Sequence, residues 1–290
     1  MEQLVIIQDR LPALDESLVI HGDAKVALPK LPEKSVQCCI TSPPYWSLRD
    51  YGIPGQIGLE ASIDQFLNRL VEVFAEVKRV LRDDGVLWLN IGDSYTSGDR
   101  GYRAPDKKNP IRAMSYRPDT PEGLKPKDLI GIPWRLALAL QQDGWYLRSD
   151  IIWHKPNCMP ESVKDRPTRA HEYVFLLSKS ERYYYDHEAV REANGRNRRS
   201  VWSIPTQAFK EAHFATFPTA LVEPCILAGS RPGDFVLDPF FGAGTAGVVA
   251  QALGRRYIGI ELNPEYVQIA TRRLTTIDAG QATVAKVVGK

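Results

Sequence analysis

The sequence predicts a doubly wound α/β fold with a mostly parallel sheet and one antiparallel strand at the sheet edge. Three observations carry that prediction. Short apolar runs of strand length alternate with longer stretches whose apolar residues recur at helical spacing. Near the C-terminus two such runs, 235–238 and 257–261, each end in a carboxylate and pass through a turn into a helix. The run 36–40 is apolar throughout except for Gln37, as a strand buried on both faces reads.

The elements follow in order. Leu18, Val19, Ile20 and His21 form a strand that closes on Gly22-Asp23, and residues 36–40 form the next. Ser62 and Gln65 make a capping-box pattern ahead of an amphipathic helix with Phe66, Leu70, Val73, Val77, Val80 and Leu81 apolar. Residues 86–91 are a strand. Pro133 starts a helix through Leu136 and Leu140, and Gly144 leads into a strand over 145–153. Runs 172–177 and 182–185, separated by Lys179-Ser180, read as a hairpin, the source of the antiparallel edge strand. A helix from Pro218 to Gly229 precedes the strand 235–238, and a glycine-containing turn then opens a helix with Val248, Val249 and Leu253. After Gly254 comes the strand ending in Glu261, then Asn263-Pro264 as N-cap and first position of a last helix with Tyr266, Ile269, Ala270 and Leu274 on one face. Residues 1–290 read as one domain without internal repeats, with a loop insertion at 97–127 and a variable segment at 186–212.

With 290 residues, 43% hydrophobic content and no long apolar run, a soluble chain with a full α/β core is expected. Met1-Glu2-Gln3 carries no signal-peptide pattern, so a cytoplasmic protein is expected. The four cysteines fit a reducing compartment and lack metal-ligand spacing, so no metal is expected and packing is their role.

The stretch Thr41-Ser42-Pro43-Pro44-Tyr45-Trp46 lies at the C-terminal mouth of a buried strand, where open α/β sheets place chemistry. Two prolines fix the backbone and remove N–H donors, so the turn presents carbonyls and a hydroxyl beside an aromatic ring. That suits a planar ring bearing an exocyclic amine. The amine lone pair is delocalised into the ring and attacks a methyl donor once acceptors on its N–H bonds draw the nitrogen toward tetrahedral geometry. Ser42 and the Pro43 carbonyl are such acceptors, and Tyr45 can stack on the base for roughly 1–3 kcal/mol.

This turn resembles motif IV of the amino-methylating DNA methyltransferases, whose pattern is Asp, Asn or Ser followed by Pro-Pro and an aromatic residue. Its Ser-Pro-Pro-Tyr version is most like the cytosine-N4-specific members, with adenine-N6 as the alternative target. The resemblance implies S-adenosyl-L-methionine as cofactor, Ser42, Pro43, Pro44 and Tyr45 as catalytic residues, and a base flipped out of double-stranded DNA. In Phe235-Val236-Leu237-Asp238-Pro239-Phe240-Phe241-Gly242-Ala243-Gly244-Thr245 it implies cofactor contacts at Asp238, Pro239, Phe240, Gly242, Gly244 and Thr245. Glu261 would hold the ribose, with Asn263 beside it, Asp23 would lie near the adenine, and Thr41 would border the cofactor. His213-Phe214-Ala215-Thr216-Phe217-Pro218 resembles motif X, which closes over the methionine end through Phe214, Thr216, Phe217 and Pro218. The catalytic turn precedes the cofactor turn, as in the circularly permuted β group with its class I methyltransferase-type sheet. The sequence leaves open whether a cognate restriction endonuclease accompanies the enzyme, and both monomer and homodimer fit it.

Two rival readings share these residues. Gly242-Ala243-Gly244-Thr245-Ala246-Gly247 matches the Gly-x-Gly-x-x-Gly fingerprint, with Glu261 at nearly the distance a dinucleotide ribose requires. An NAD-dependent oxidoreductase leaves Ser42-Pro43-Pro44-Tyr45 without a role, however, and its strand would run straight into the first glycine rather than end in Asp238-Pro239-Phe240. Pro224-Cys225 is the nucleophile signature of the cytosine-C5 enzymes, but it sits in an apolar helix, where Cys225 reads as core.

Net charge is +2, so DNA affinity must rest on local patches. The 97–127 insertion has eight basic against four acidic residues, a net of +4, with Lys107 and Lys108 as candidate phosphate contacts. The 186–212 segment, with Arg196, Arg198 and Arg199 beside Asn194 and Asn197, is the candidate target-recognition region. By resemblance the 153–172 loop, with His154, Lys155, Arg166, Arg169 and His171, shapes the base pocket, and Arg169 is its DNA-contact candidate. Trp202 reads as a packing anchor.

Overall fold

A computed structural model describes residues 4–6, 14–96, 102, 114, 117–207 and 217–288, with side chains excepted for 4–6 and 277–288. Among these the strands are β1 (Leu4–Ile6), β2 (Leu18–His21), β3 (Val36–Thr41), β4 (Leu81–Ile91), β5 (Tyr146–His154), β6 (His171–Ser178), β7 (Val201–Ser203), β8 (Phe235–Asp238) and β9 (Arg256–Glu261). The helices are α1 (Ala24–Ala27), α2 (Ile63–Val80), α3 (Ile132–Gln142), α4 (Thr219–Gly229), α5 (Thr245–Ala252) and α6 (Pro264–Val288).

The strands make one sheet in the order β1-β2-β9-β8-β3-β4-β6-β5-β7. All neighbours are parallel except at β6, which runs antiparallel to both β4 and β5. The predicted α/β sheet is therefore present, but its antiparallel strand is internal rather than at the edge. The expected hairpin with 182–185 does not form for the same reason. Both hydrogen-bonding edges of β6 are taken by β4 and β5, so the chain after Ser178 leaves the sheet, and Tyr184 N–H instead donates to the Asp84 carbonyl at 2.9 Å. The edges are the three-residue strands β1 and β7, short enough to offer little surface for further pairing.

Alternation along the strands divides the core between two faces. Cys39, Leu87, Leu89, Leu237, Ile258 and Ile260 pack with α2 and α3, whereas Cys38, Ile40, Val86, Trp88, Val236 and Tyr257 pack with α4, α5 and α6. The α2 helix starts as its sequence predicts, with Ser62 Oγ accepting the Gln65 N–H at 3.2 Å, and buries Phe66, Leu70, Val73, Phe74 and Val77. The α4 helix is apolar nearly all round, which suits its burial, and Cys225 gives its thiol to the Leu221 carbonyl. Burial holds that thiol well above its ordinary pKa, so Cys225 is core. Trp202 is likewise buried, its indole N–H on the Arg199 carbonyl at 2.7 Å.

Because β3, β8, β9 and β2 are adjacent and parallel, their C-terminal residues Thr41, Asp238, Glu261 and His21 come out along one rim. The antiparallel β6 enters that rim from the other direction. Its first residues, His171 and Glu172, pair with His154 and Trp153 at the C-terminal end of β5.

Candidate active site

Half of the rim is built from carboxylates held by nearby backbone. Glu261 accepts the Gly242 N–H on Oε2 at 2.6 Å and the Asn263 N–H on Oε1 at 2.7 Å. Burial raises its pKa and these donors pull it back. A carboxylate has about four lone-pair positions, so each oxygen retains capacity for a ribose hydroxyl. Asp238 is buried, and its Oδ1 accepts from the Thr41 hydroxyl at 2.6 Å and the Phe240 N–H at 3.0 Å. Desolvation lifts Asp238 to a pKa of about 7, against the pull of both donors. An ammonium group would hold it ionised. Asp23 is half-buried at the end of β2 and caps α1 through the Lys25 N–H at 2.9 Å.

The glycines after β8 serve packing and turn geometry. Gly242 and Gly244 adopt positive φ, which leads the chain from β8 into α5. A Cβ on Gly247 would lie 2.6 Å from the Phe241 ring, and one on Gly259 would lie 2.4 Å from it. The third glycine of the dinucleotide-like pattern thus makes room for Phe241, which stacks on Tyr257. Thr245 and Asn263 are engaged internally. Arg273 donates to the Thr245 hydroxyl at 3.2 Å and to the Ala243 carbonyl, and Asn263 caps α6 through the Glu265 N–H at 2.9 Å. Pro218 is the N-cap residue of α4, and Phe217 packs on its face of the core. Phe214 and Thr216 lie outside the described residues.

The other half of the rim is built from side chains of distant segments. Ser42 is half-buried directly after β3, followed by Pro43, Pro44 and Tyr45. Trp46 is buried as the anchor of this turn, its indole N–H on the Glu60 carbonyl at 3.0 Å, and Glu60 in turn binds Arg69 and the Gly58 N–H. The Tyr45 hydroxyl donates to Glu172 Oε2 at 2.8 Å, and the Asn90 amide donates to the same oxygen at 3.2 Å. Lys155 is paired with Glu172 Oε1, and its ammonium lies 4.2 Å from the Trp153 ring centroid. Gly92 admits Tyr45, since a Cβ there would be 2.8 Å from the ring and 3.1 Å from Glu172. Burial and the neighbouring Glu172 charge push the Tyr45 phenol well above its ordinary pKa, so it stays protonated.

Asn90, Gly92 and Glu172 carry no sequence motif. The available signals were a polar residue within the apolar run 86–91 and a carboxylate opening the apolar run after His171. The loop after Trp46 also reaches the carboxylate half of the rim: Tyr51 lies within electrostatic reach of Glu261 and Tyr266, and Arg49 within reach of Tyr266.

Of the predicted DNA contacts, Arg169 is at the rim, donating to the Asp93 carbonyl and lying 5.2 Å from the Tyr95 ring, with Arg166 4.0 Å from the same ring. Arg196, Arg198 and Arg199 are not brought there. They precede the first residue of β7, whose C-terminal end is the one at the rim, and Arg199 pairs with Glu192 while Arg198 lies over Trp202. Within 186–212 the stretch that reaches the rim follows β7, where Asn157 binds Thr206 through N–H and carbonyl groups at 2.8 and 3.0 Å. Lys107 and Lys108 lie outside the described residues. His154 holds Ser203 at 3.1 Å and His171 packs edge-on against Tyr173. Among the described residues no helix is long and apolar enough to cross a membrane.

Known proteins resemble this chain in sequence and in fold. The family model for the N6/N4 DNA methylases matches residues 36–272. The type II methyltransferase M.Cfr9I of Citrobacter freundii is 68% identical over 276 residues, 94% of this chain and 92% of the relative. M.SmaI of Serratia marcescens is 61% identical over 262 residues, 88% and 90% of the two chains. A DNA modification methylase from Thermus thermophilus, solved with S-adenosyl-L-methionine, superposes with a TM-score of 0.65 at 28% identity, covering 89% of this chain and 93% of its own. The cytosine-N4-specific PvuII methyltransferase shares the fold, with a TM-score of 0.69 at 24% identity over 89% and 86% of the chains. With its proline-rich turn and carboxylate rim side by side on one sheet, the chain belongs to the N6/N4 family of S-adenosylmethionine-dependent DNA methyltransferases.

Proposed function

We propose that the chain transfers a methyl group to the exocyclic N4 of cytosine in double-stranded DNA. The observation that carries this reading is Ser42 at the first position of the proline-rich turn, at the C-terminal end of β3 and beside the Asp238 and Glu261 rim. A hydroxyl there gives an uncharged acceptor for one amine N–H, and the Pro43 carbonyl gives a second. The Tyr45 ring offers a stacking face for a base taken out of the duplex.

S-adenosylmethionine supplies an electrophilic methyl on a sulfonium centre, and the donor set described above fits it. Glu261 would accept the ribose hydroxyls, Asp238 would face the ammonium of the methionine end, and Asp23 would border the adenine. Gly242, Gly244, Pro239, Phe240 and Phe217 would wall the pocket, with the residues around Phe214 and Thr216 closing it. Arg169 would meet the DNA at the rim, Lys107 and Lys108 would contact phosphates, and the stretch after β7 would read bases. A restriction endonuclease of the same specificity is the partner that the relatives' type II designation suggests.

Incubation with mixed-sequence DNA and labelled S-adenosylmethionine, followed by nucleoside mass spectrometry, tests this. N4-methylcytosine is expected. N6-methyladenine as sole product overturns the choice of base, and C5-methylcytosine overturns the mechanism as well.

A further inference from the structure

An aromatic ring serves as a stacking platform only if it is held where the base arrives, and the proline turn fixes the Tyr45 backbone but not its side chain. We propose that Glu172 is a positioning residue for the target base: with Asn90 and Lys155 it forms a seat that holds the Tyr45 ring as the surface on which the flipped base lands. This rests on the stacking role given to Tyr45 above.

Two constraints are needed, because a tyrosine side chain turns about two torsions. The hydroxyl lies on the Cβ–Cγ axis, so a bond to it fixes the direction of that axis and leaves rotation about it free. Glu172 supplies the bond, its Oε2 accepting the Tyr45 hydroxyl at 2.8 Å. Gly92 limits the rotation. A Cβ there would lie 2.8 Å from Tyr45 Cε2 and 3.1 Å from the Glu172 side chain, so ring and glutamate pack against the same bare backbone.

Glu172 is itself held from both flanks. Because β6 lies between β4 and β5, Asn90 of β4 stands on one side of it and Lys155, one residue past β5, on the other. Asn90 donates to Oε2 at 3.2 Å and to the Tyr173 carbonyl at 3.1 Å, which ties the carboxylate to its own strand. Lys155 pairs with Oε1, its backbone N–H is fixed on the Ala170 carbonyl at 2.7 Å, and its ammonium lies over the Trp153 ring. The Glu172 and Lys155 side chains are each 17% exposed. In so dry a setting a charged acceptor holds a hydroxyl more tightly than a neutral one.

The test is a double-mutant cycle read as single-turnover methyl transfer to DNA, counting either base amine as product. Tyr45→Phe keeps the ring and removes the tether. Glu172→Gln keeps size but leaves one acceptor oxygen for donors on two sides. Each should lower turnover about tenfold, the scale of one positioned hydrogen bond, with KM for DNA and cofactor nearly unchanged. The double variant should be no slower than Tyr45→Phe alone. Losses that multiply, or a loss expressed in KM, would mean that Glu172 acts on the sheet rather than through Tyr45, and full activity of either single variant overturns the seat as well. Tyr45→Ala, which removes the ring too, should fall about another tenfold. If it is no slower than Tyr45→Phe, the stacking role itself is lost; if it alone is slow, stacking stands and the seat does not. Should Glu172→Gln fail to fold, Asn90→Ala takes its place in the same cycle with the same reading.

Discussion

The two halves of the candidate active-site rim satisfy their polar groups by different means. On the side proposed for the cofactor, backbone close in the chain or in the adjacent turn donates to each carboxylate, Lys25 to Asp23, Phe240 to Asp238, and Asn263 and Gly242 to Glu261, and the Thr41 hydroxyl of β3 adds one side-chain donor, to Asp238. On the target side Tyr45, Asn90, Lys155 and Glu172 come from four segments and satisfy one another through side chains. The first arrangement depends mainly on a turn being folded correctly, and the second on the assembly of the whole sheet. Damage to one half should therefore leave the other half's function measurable.

The sharpest separation comes from Ser42→Ala, expected to reduce turnover on the order of 10²-fold, as loss of a positioned transition-state hydrogen bond does. The melting shift given by S-adenosylhomocysteine should persist. Loss of that shift would mean that the two halves are not separable. On the other side, Glu261→Ala should weaken the cofactor about tenfold or more and shrink the same shift, with DNA binding intact in a gel-shift assay. NAD should give no shift to either protein.

A subtler break is Gly92→Ala, whose new Cβ meets Tyr45 at 2.8 Å. Turnover should fall about tenfold as the ring moves, while cofactor affinity from calorimetry stays put. An unchanged turnover would show that the turn tolerates displacement of Tyr45.

Asp238→Asn tests the cofactor half through pH. A carboxyl raised to about 7 when folded adds stability that is complete below the unfolded value near 4 and is lost as pH rises through 7. The cofactor-free Asn variant should thus melt several degrees above wild type at pH 8, with the gap narrowing as pH falls and closing below about pH 4. The reverse order would mean that Asp238 is held ionised by its donors. The smallest effect is expected at Arg199, which is exposed, paired with Glu192 and away from the rim. Arg199→Ala should leave the preference for cognate over scrambled duplex unchanged in competition binding.

The local chemistry of the chain determined much of this. The β8 turn, the carboxylates closing β2, β8 and β9, the α2 cap and the Ser42 turn are each contained within a few residues, so their meaning survives in the linear sequence. Strand placement did not. That β6 inserts between β4 and β5 depends on which hydrogen-bonding edges are free once the sheet assembles, and residues 182–185 have strand-like composition without a vacant edge to pair with. The same insertion, by reversing the direction of β6, delivers Glu172 to the rim beside Tyr45. Arg196, Arg198 and Arg199 show the same division: their composition suits DNA, and the parallel pairing of β7 with β5 sets them before that strand, whose C-terminal end is the one at the rim. Charge and side-chain type belong to the sequence. The end of the sheet at which they emerge belongs to the direction of each strand, which pairing between distant segments alone decides.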